Sequence, residues 1–239
     1  LHIPTLIHEQ NSIVGKANQL VMNKVDRIIT CYEKCEEVFP KEKTFLLGNP
    51  RATTAKESEF DQAYYDTFQL DSKKKTILIM MGSLGSSSVN QLMKEALKGI
   101  EDNIQFIYVC GKDNLQDATL FKELKNVHVT GYVDTLKIYK KIDGMICRAG
   151  ATTLAEVTGL GIPSNLIPSP YVANNHQFYN ANVLVEKGAA LMIEEKDLNA
   201  NTLNKSIIEL FMDPKKMESV HEQALKLGRP NAAYDIIDL

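Results

Sequence analysis

Short apolar runs alternate with segments of helical period along the whole 239-residue chain, and no other feature restricts the fold as strongly. Such alternation is the mark of βαβ units, in which parallel strands are joined by crossover helices that cover both faces of the sheet. The run Thr76-Ile77-Leu78-Ile79-Met80-Met81 is apolar at consecutive positions, as a strand buried on both faces requires. Further strands are expected at 105–110, 127–130, 144–147, 164–167 and 189–193, with helices at 90–100, 135–142, 154–159 and 177–186. An earlier series reads as strands 3–8, 27–31 and 44–47 with a helix over 16–24, and stops at Gly48-Asn49-Pro50. The polar stretch 51–75, with one short helix near 62–68, reads as an interdomain connection. The tail 202–227 reads as two helices broken at Asp213-Pro214, where proline suits a first helical turn. The expected class is α/β: one doubly wound parallel sheet, preceded by the end of another.

Composition removes several function classes. With 44% hydrophobic and 24% charged residues the chain is of ordinary globular type. A net charge of -3 argues against a nucleic-acid partner, because phosphate neutralisation needs a concentrated basic face. The short runs Lys73-Lys74-Lys75 and Lys140-Lys141 read as solvated surface. Cys31, Cys35, Cys110 and Cys147 form no CxxC pair and have no paired histidine spacing, so reduced thiols are expected, with no metal site and no cofactor. No apolar stretch of membrane-spanning length and no signal peptide is found, so membrane contact would be peripheral. The chain opens with Leu1 inside an apparent strand, and a preceding region is expected.

In open α/β sheets ligands bind at the carboxyl ends of the strands, which singles out four loops. Gly82-Ser83-Leu84-Gly85-Ser86-Ser87-Ser88, between a buried strand and a helix, is either a tight turn with capping serines or a phosphate cradle to which Ser83 adds a hydroxyl. It is neither a Walker A loop nor a GxGxxG motif. In Arg148-Ala149-Gly150-Ala151-Thr152-Thr153-Leu154-Ala155-Glu156, Thr152 or Thr153 can cap a helix. Glu156 then either closes a capping box or accepts two ribose hydroxyls with its two oxygens. The loop Pro168 to Gln177 ends in Asn174-Asn175-His176-Gln177, read either as a solvated cap or as amides and an imidazole for sugar hydroxyls. The tetrad His8-Glu9-Gln10-Asn11 could hold a general base or a sugar-binding amide. His2, His128 and His221 read as structural or exposed.

Taken in order, the tetrad, Gly48-Asn49-Pro50 with Arg51, Gly82-Ser83-x-Gly85, Gly131-Tyr132-Val133-Asp134, Arg148-x-Gly150-Ala151 through Glu156, and Asn175-His176-Gln177 resemble the MurG family of glycosyltransferases over essentially the whole chain. The resemblance implies the GT-B architecture: two Rossmann-like doubly wound domains, with residues 1–50 ending the acceptor-side domain and 51–239 forming the UDP-sugar domain. It implies inverting transfer of N-acetylglucosamine from UDP-GlcNAc to lipid I, without a metal, at the cytoplasmic face of the bacterial membrane. By resemblance Glu156 binds the ribose, Val133 offers backbone groups to uracil, Ser83 meets the diphosphate, and His176 and Gln177 face the sugar. Asn11 and Arg51 approach from across the cleft.

The chain departs from the family in several places. Met81 stands where glycine is usual, Ser86 where alanine is common, His176 where some members carry a second glutamine, and Arg51 directly follows Pro50. The family's N-terminal glycine-rich loop, with the histidine that is its usual candidate base, has no counterpart. The catalytic base is therefore expected upstream of Leu1, and this chain alone is expected to bind UDP without turnover. Another GT-B transferase, an epimerase and a non-catalytic UDP-sugar-binding module are the alternatives.

Overall fold

The computed structural model describes residues 3–81 and 87–239, which form two parallel sheets. The smaller comprises β1 (Leu6–Glu9), β2 (Arg27–Thr30) and β3 (Thr44–Leu46) in that order, with α1 (Lys16–Val21) crossing between the first two. Ile28 and Ile29 are fully buried, one on each face of the central strand, so the run of two β-branched residues is explained.

The chain then passes through α2 (Arg51–Glu57) and α3 (Gln62–Asp66) into a six-stranded sheet. Its elements are β4 (Lys75–Met80), α4 (Ser87–Leu97), β5 (Ile104–Val109), β6 (Val127–Thr130), β7 (Gly144–Cys147), α5 (Ala151–Leu160), β8 (Ser164–Leu166), α6 (His176–Glu186) and β9 (Leu191–Met192). Helices α7 (Ala200–Phe211), α8 (Pro214–Leu227) and α9 (Ala232–Ile237) follow. The strand order is β6-β5-β4-β7-β8-β9. Counted by appearance this is 3-2-1-4-5-6, the Rossmann order, and the order reverses between β4 and β7.

The continuous apolar strands divide their side chains between two cores. Leu78, Ile107, Val109, Met145 and Cys147 pack under α5 and α6, while Ile77, Ile79, Phe106, Tyr108 and Ile146 pack under α4 and α7. Each such side chain contributes about 1.5–3 kcal/mol on burial, which makes these strands the least negotiable part of the fold. At Gly144 a Cβ would lie 2.3 Å from the ring of the fully buried Phe211, so α7 sits against β7 where glycine leaves room.

Several expectations need correction. The stretch after Pro50 is helical: α2 buries Ala52, Thr53 and Ala55, and a Cβ added to Gly159 of α5 would lie 3.0 Å from that of Ala52. A helix face made of alanine and threonine gives little hydrophobic contrast, so its period is hard to read. Residues expected to form one helix over 135–142 form two 3-10 turns, Thr135–Lys137 and Tyr139–Lys141. Strand β9 has only two residues, β1 begins at Leu6 rather than residue 3, and the terminal α9 is additional. Lys75 is not solvated surface: it opens β4, and its Nζ donates to Phe211 O at 3.0 Å.

The crossover between the sheets is short. Gly48 has φ +85°, where side chains are disfavoured, and a Cβ there would meet Arg229 Cβ at 2.5 Å. The Asn49 side chain accepts from Arg51 N at 3.0 Å and donates to Gln10 Oε1 at 3.2 Å. Beside this crossover lies a cavity of about 380 Å³ between the loops of the small sheet and α5, α6 and α8, lined by Tyr32, Leu46, Leu154, Leu184 and Leu227 among others. Among the described residues no helix is long and apolar enough to cross a membrane.

Candidate functional site

The strand order reverses between β4 and β7, and an open α/β sheet binds its ligand beyond the carboxyl ends of the strands at such a point. Gly82, Ser83 and Gly85, which carry the phosphate-cradle reading, lie outside the described residues. Arg148 braces the neighbouring ends. Its Nε donates to Met81 O at 3.3 Å, and its Nη1 donates to Ile167 O at 3.1 Å and to Glu195 Oε2 at 2.5 Å. One guanidinium thus ties together the ends of β4, β7 and β8 and the turn after β9.

Gly150 is the N-cap of α5, with φ -68° and no side-chain cap, so neither Thr152 nor Thr153 caps the helix. Its conformation makes no demand for glycine, and a Cβ there would meet nothing within 4 Å. Among the described residues the first N–H groups of α5 have no side-chain cap, which leaves them as donors for an anion or a hydroxyl acceptor.

Glu156 closes no capping box. It is the sixth residue of α5 and only 4% exposed. Its Oε1 accepts from Arg51 Nε at 2.8 Å and from Arg51 Nη2, and its Oε2 accepts from Tyr139 Oη at 2.7 Å. A buried carboxylate needs such donors. Burial, and then the Glu156 charge, push the Tyr139 phenol well above its ordinary range and the Cys147 thiol up to about 12, so both remain protonated.

The loop after β6 places Val133 at 5% exposure, and the following N–H, of Asp134, donates to Tyr64 Oη at 3.0 Å. Among the described residues the Val133 backbone N–H and C=O have no hydrogen-bond partner. A buried residue with both groups unused is suited to a planar ligand edge.

The loop after β8 turns into α6 through Asn174 and Asn175, at φ 54° and 52°, a region asparagine tolerates better than most side chains. The His176 Nδ1 lies 2.9 Å from Ala173 O, which makes it the N–H donor and leaves Nε2 as an acceptor in the neutral ring. Gln177 Oε1 accepts from Ser169 N at 2.9 Å, leaving its amide N–H groups as donors. One turn further, the fully buried Asn180 accepts from Ser12 N at 2.8 Å and donates to Asn11 Oδ1 at 3.0 Å and to Ala149 O at 3.5 Å. Asn11, far away in sequence, is thereby fixed beside α6 and the β7 loop.

The rest of the tetrad is structural. His8 Nε2 lies 3.0 Å from Gly48 O, and burial lowers its pKa. Glu9 is 3% exposed and accepts from Asn11 N, Gly15 N and Asn18 Nδ2. Of the sequence-selected residues, the structure links Arg51 to Glu156, and Asn11 to the helix that begins with His176 and Gln177. Tyr139, Asn180 and Arg148 were not selected as site residues. For Asn180 the available signal is its i+3 spacing from Gln177, and for Tyr139 a phenol within an apolar pattern. Among the described residues no three His, Cys, Asp or Glu side chains converge as metal ligands, and none of the six described candidate residues lines the 380 Å³ cavity.

Comparison with known proteins places these loops in a family context. Residues 76–238 match the glycosyltransferase family 28 C-terminal domain. The Bacillus cereus UDP-N-acetylglucosamine–N-acetylmuramyl-(pentapeptide) pyrophosphoryl-undecaprenol N-acetylglucosamine transferase 1 is 38% identical over 245 residues, covering 100% of this chain and 67% of that protein. The Pediococcus pentosaceus transferase of the same name is 38% identical over 99% of this chain and 67% of its own length. The crystal structure of Acinetobacter baumannii MurG superposes with a TM-score of 0.79 at 28% identity, over 99% of this chain and 67% of that one. Os79 from O. sativa, solved in complex with UDP, shares the fold at a TM-score of 0.66 and 15% identity, over 92% and 56% of the two chains.

Proposed function

The chain belongs to glycosyltransferase family 28, and from that membership we propose that it carries the activity named for its relatives. The reaction is inverting transfer of N-acetylglucosamine from UDP-GlcNAc to the C4 hydroxyl of the MurNAc unit of lipid I, giving lipid II for peptidoglycan synthesis. The bond between the anomeric carbon and UDP breaks as the bond to the C4 oxygen forms. The observation that carries the reading is Glu156, a carboxylate held nearly fully buried at the switch point, where an open α/β sheet binds its ligand.

The residues divide the donor among them. Unused backbone groups of Val133 read the uracil edge, Glu156 accepts ribose hydroxyls, and Ser83 meets the diphosphate. The His176 Nε2 acceptor and the Gln177 amide donors face the sugar. Asn11, fixed through Asn180, and Arg51 close the opposite side. Charge that grows on the departing UDP is stabilised by the amino end of α4, a dipole already in place before reaction. The proton of the C4 hydroxyl passes to a general base on the acceptor side, which is not one of these residues.

In this reading residues 1–50 belong to the acceptor-side domain and 51–239 to the UDP-sugar domain. Because the acceptor carries an undecaprenyl chain, the protein works peripherally at the cytoplasmic face of the membrane.

The test is transfer of radiolabel from UDP-GlcNAc to a lipid I analogue. The chain spans 67% of the length of the relatives, so the assay is run on it alone and joined to the preceding third of the Bacillus cereus relative. Labelled lipid II supports the reading. Conversion of UDP-GlcNAc to its C2 epimer, or binding without transfer in the joined protein, sinks it.

A further inference from the structure

Glu156 has more partners than a ribose-binding carboxylate can keep. An ionised carboxyl group offers about four acceptor positions. Arg51 fills two through Nε and Nη2 at Oε1, and the Tyr139 hydroxyl fills one at Oε2, 2.7 Å away. Two ribose hydroxyls therefore require one of these residues to give way. Their surroundings decide which: the Arg51 side chain is 41% exposed and can be resolvated where it stands, whereas Tyr139 is 2% exposed. Since a carboxylate only accepts, the phenol proton must point to Glu156.

We propose that Tyr139 is the positioning residue of the nucleotide site, fixing the plane of the Glu156 carboxylate for the ribose, while Arg51 is the exchangeable partner. The proposal rests on Glu156 as the ribose acceptor. Without the phenol, Glu156 is left to the exposed Arg51, whose departure on ligand binding frees the carboxylate to rotate.

The experiment compares UDP with 2′-deoxy-UDP by titration calorimetry on the wild-type chain, Tyr139→Phe and Glu156→Gln. Wild type should favour UDP, and Tyr139→Phe should narrow that preference by about threefold to tenfold, the loss of one hydrogen bond. Mere structural weakening would lower the melting temperature and both affinities together, so an unchanged ratio in Tyr139→Phe overturns the positioning role. Should Tyr139→Phe fold poorly, Tyr139→Met, which also lacks the hydroxyl, is titrated in its place, and an unchanged ratio there overturns the role. If wild type does not distinguish the two nucleotides, or Glu156→Gln leaves the ratio intact, the ribose reading of Glu156 itself falls.

Discussion

Glutamine in place of Glu156 retains size and removes charge, and the structure shows what that does. Three donor groups converge on the carboxylate: Arg51 Nε, Arg51 Nη2 and the Tyr139 hydroxyl. An amide offers one oxygen, so one side loses its acceptor. If the oxygen faces Arg51, the amide N–H groups confront the phenol hydroxyl, which has lost the oxygen it donated to. The exposed Arg51 recovers water, and losing its ion pair costs no more than about 1 kcal/mol. Tyr139, 2% exposed, cannot recover water, and its unmet hydroxyl costs about 1–3 kcal/mol. For a chain of this length the melting temperature should fall by roughly 2–10 °C. UDP, losing hydrogen bonds to a charged acceptor worth about 1.5–3 kcal/mol, should bind roughly ten- to 150-fold more weakly. Thermal unfolding measures the first effect, and calorimetric titration well below the variant's midpoint measures the second. A lowered melting temperature with an unchanged UDP Kd would refute the argument and leave Glu156 as a bracket between α2 and α5.

Gln177→Ala should lower kcat/KM for UDP-GlcNAc and narrow its advantage over UDP-GalNAc, because a site built on directional hydrogen bonds discriminates through groups left unpaired; a parallel fall in free UDP affinity would assign Gln177 to the nucleotide or the fold. Transfer should survive saturating EDTA, since the sequence has no Asp-x-Asp motif and the diphosphate charge is assigned to a helix terminus; complete loss restored by magnesium or manganese contradicts this. Gly144→Ala should destabilise by about 1–3 kcal/mol in urea unfolding, because its Cβ would lie 2.3 Å from the Phe211 ring, and an unchanged midpoint would show that α7 shifts freely. Burial lowers the pKa of His8 and of His128 below the ordinary 6.5, so the unfolded chain binds more protons just below that pH. Stability should therefore be full above about pH 6.5 and fall as pH drops toward 5, and His8→Asn should flatten part of this slope; an unaltered slope removes His8 as a contributor.

Strands β4, β5 and β7 were legible because their side chains are buried on both faces, an environment that a nearly continuous apolar run satisfies; 127–130 and 144–147 are read to the residue. Helix α2 was not legible, because it packs through Ala52, Thr53 and Ala55, which look the same in a polar linker. The 3-10 turns around Tyr139 share the apolar spacing of a helix, and only tertiary pairing separates the two. Glu156 could be singled out, but Arg51 lies 105 residues away and Tyr139 is 17 away on another element, so its partners could not be read from spacing. Asn180 illustrates the same limit: its i+3 spacing from Gln177 places it on one helix face, but the loop it holds, 168 residues earlier, is found only once the chain is folded.

Asn180 and Gly48 both tie the small sheet to the large one, the first by hydrogen bonds to Asn11 and Ser12 and the second within the four-residue crossover 47–50 that ends where α2 packs against α5. Asn180 lies one helical turn after Gln177, so the helix whose first turn carries His176 and Gln177 also sets the position of the loop that carries Asn11. A substitution at Asn180 would therefore disturb two segments far apart in the chain at once, the loop after β1 and the start of α6.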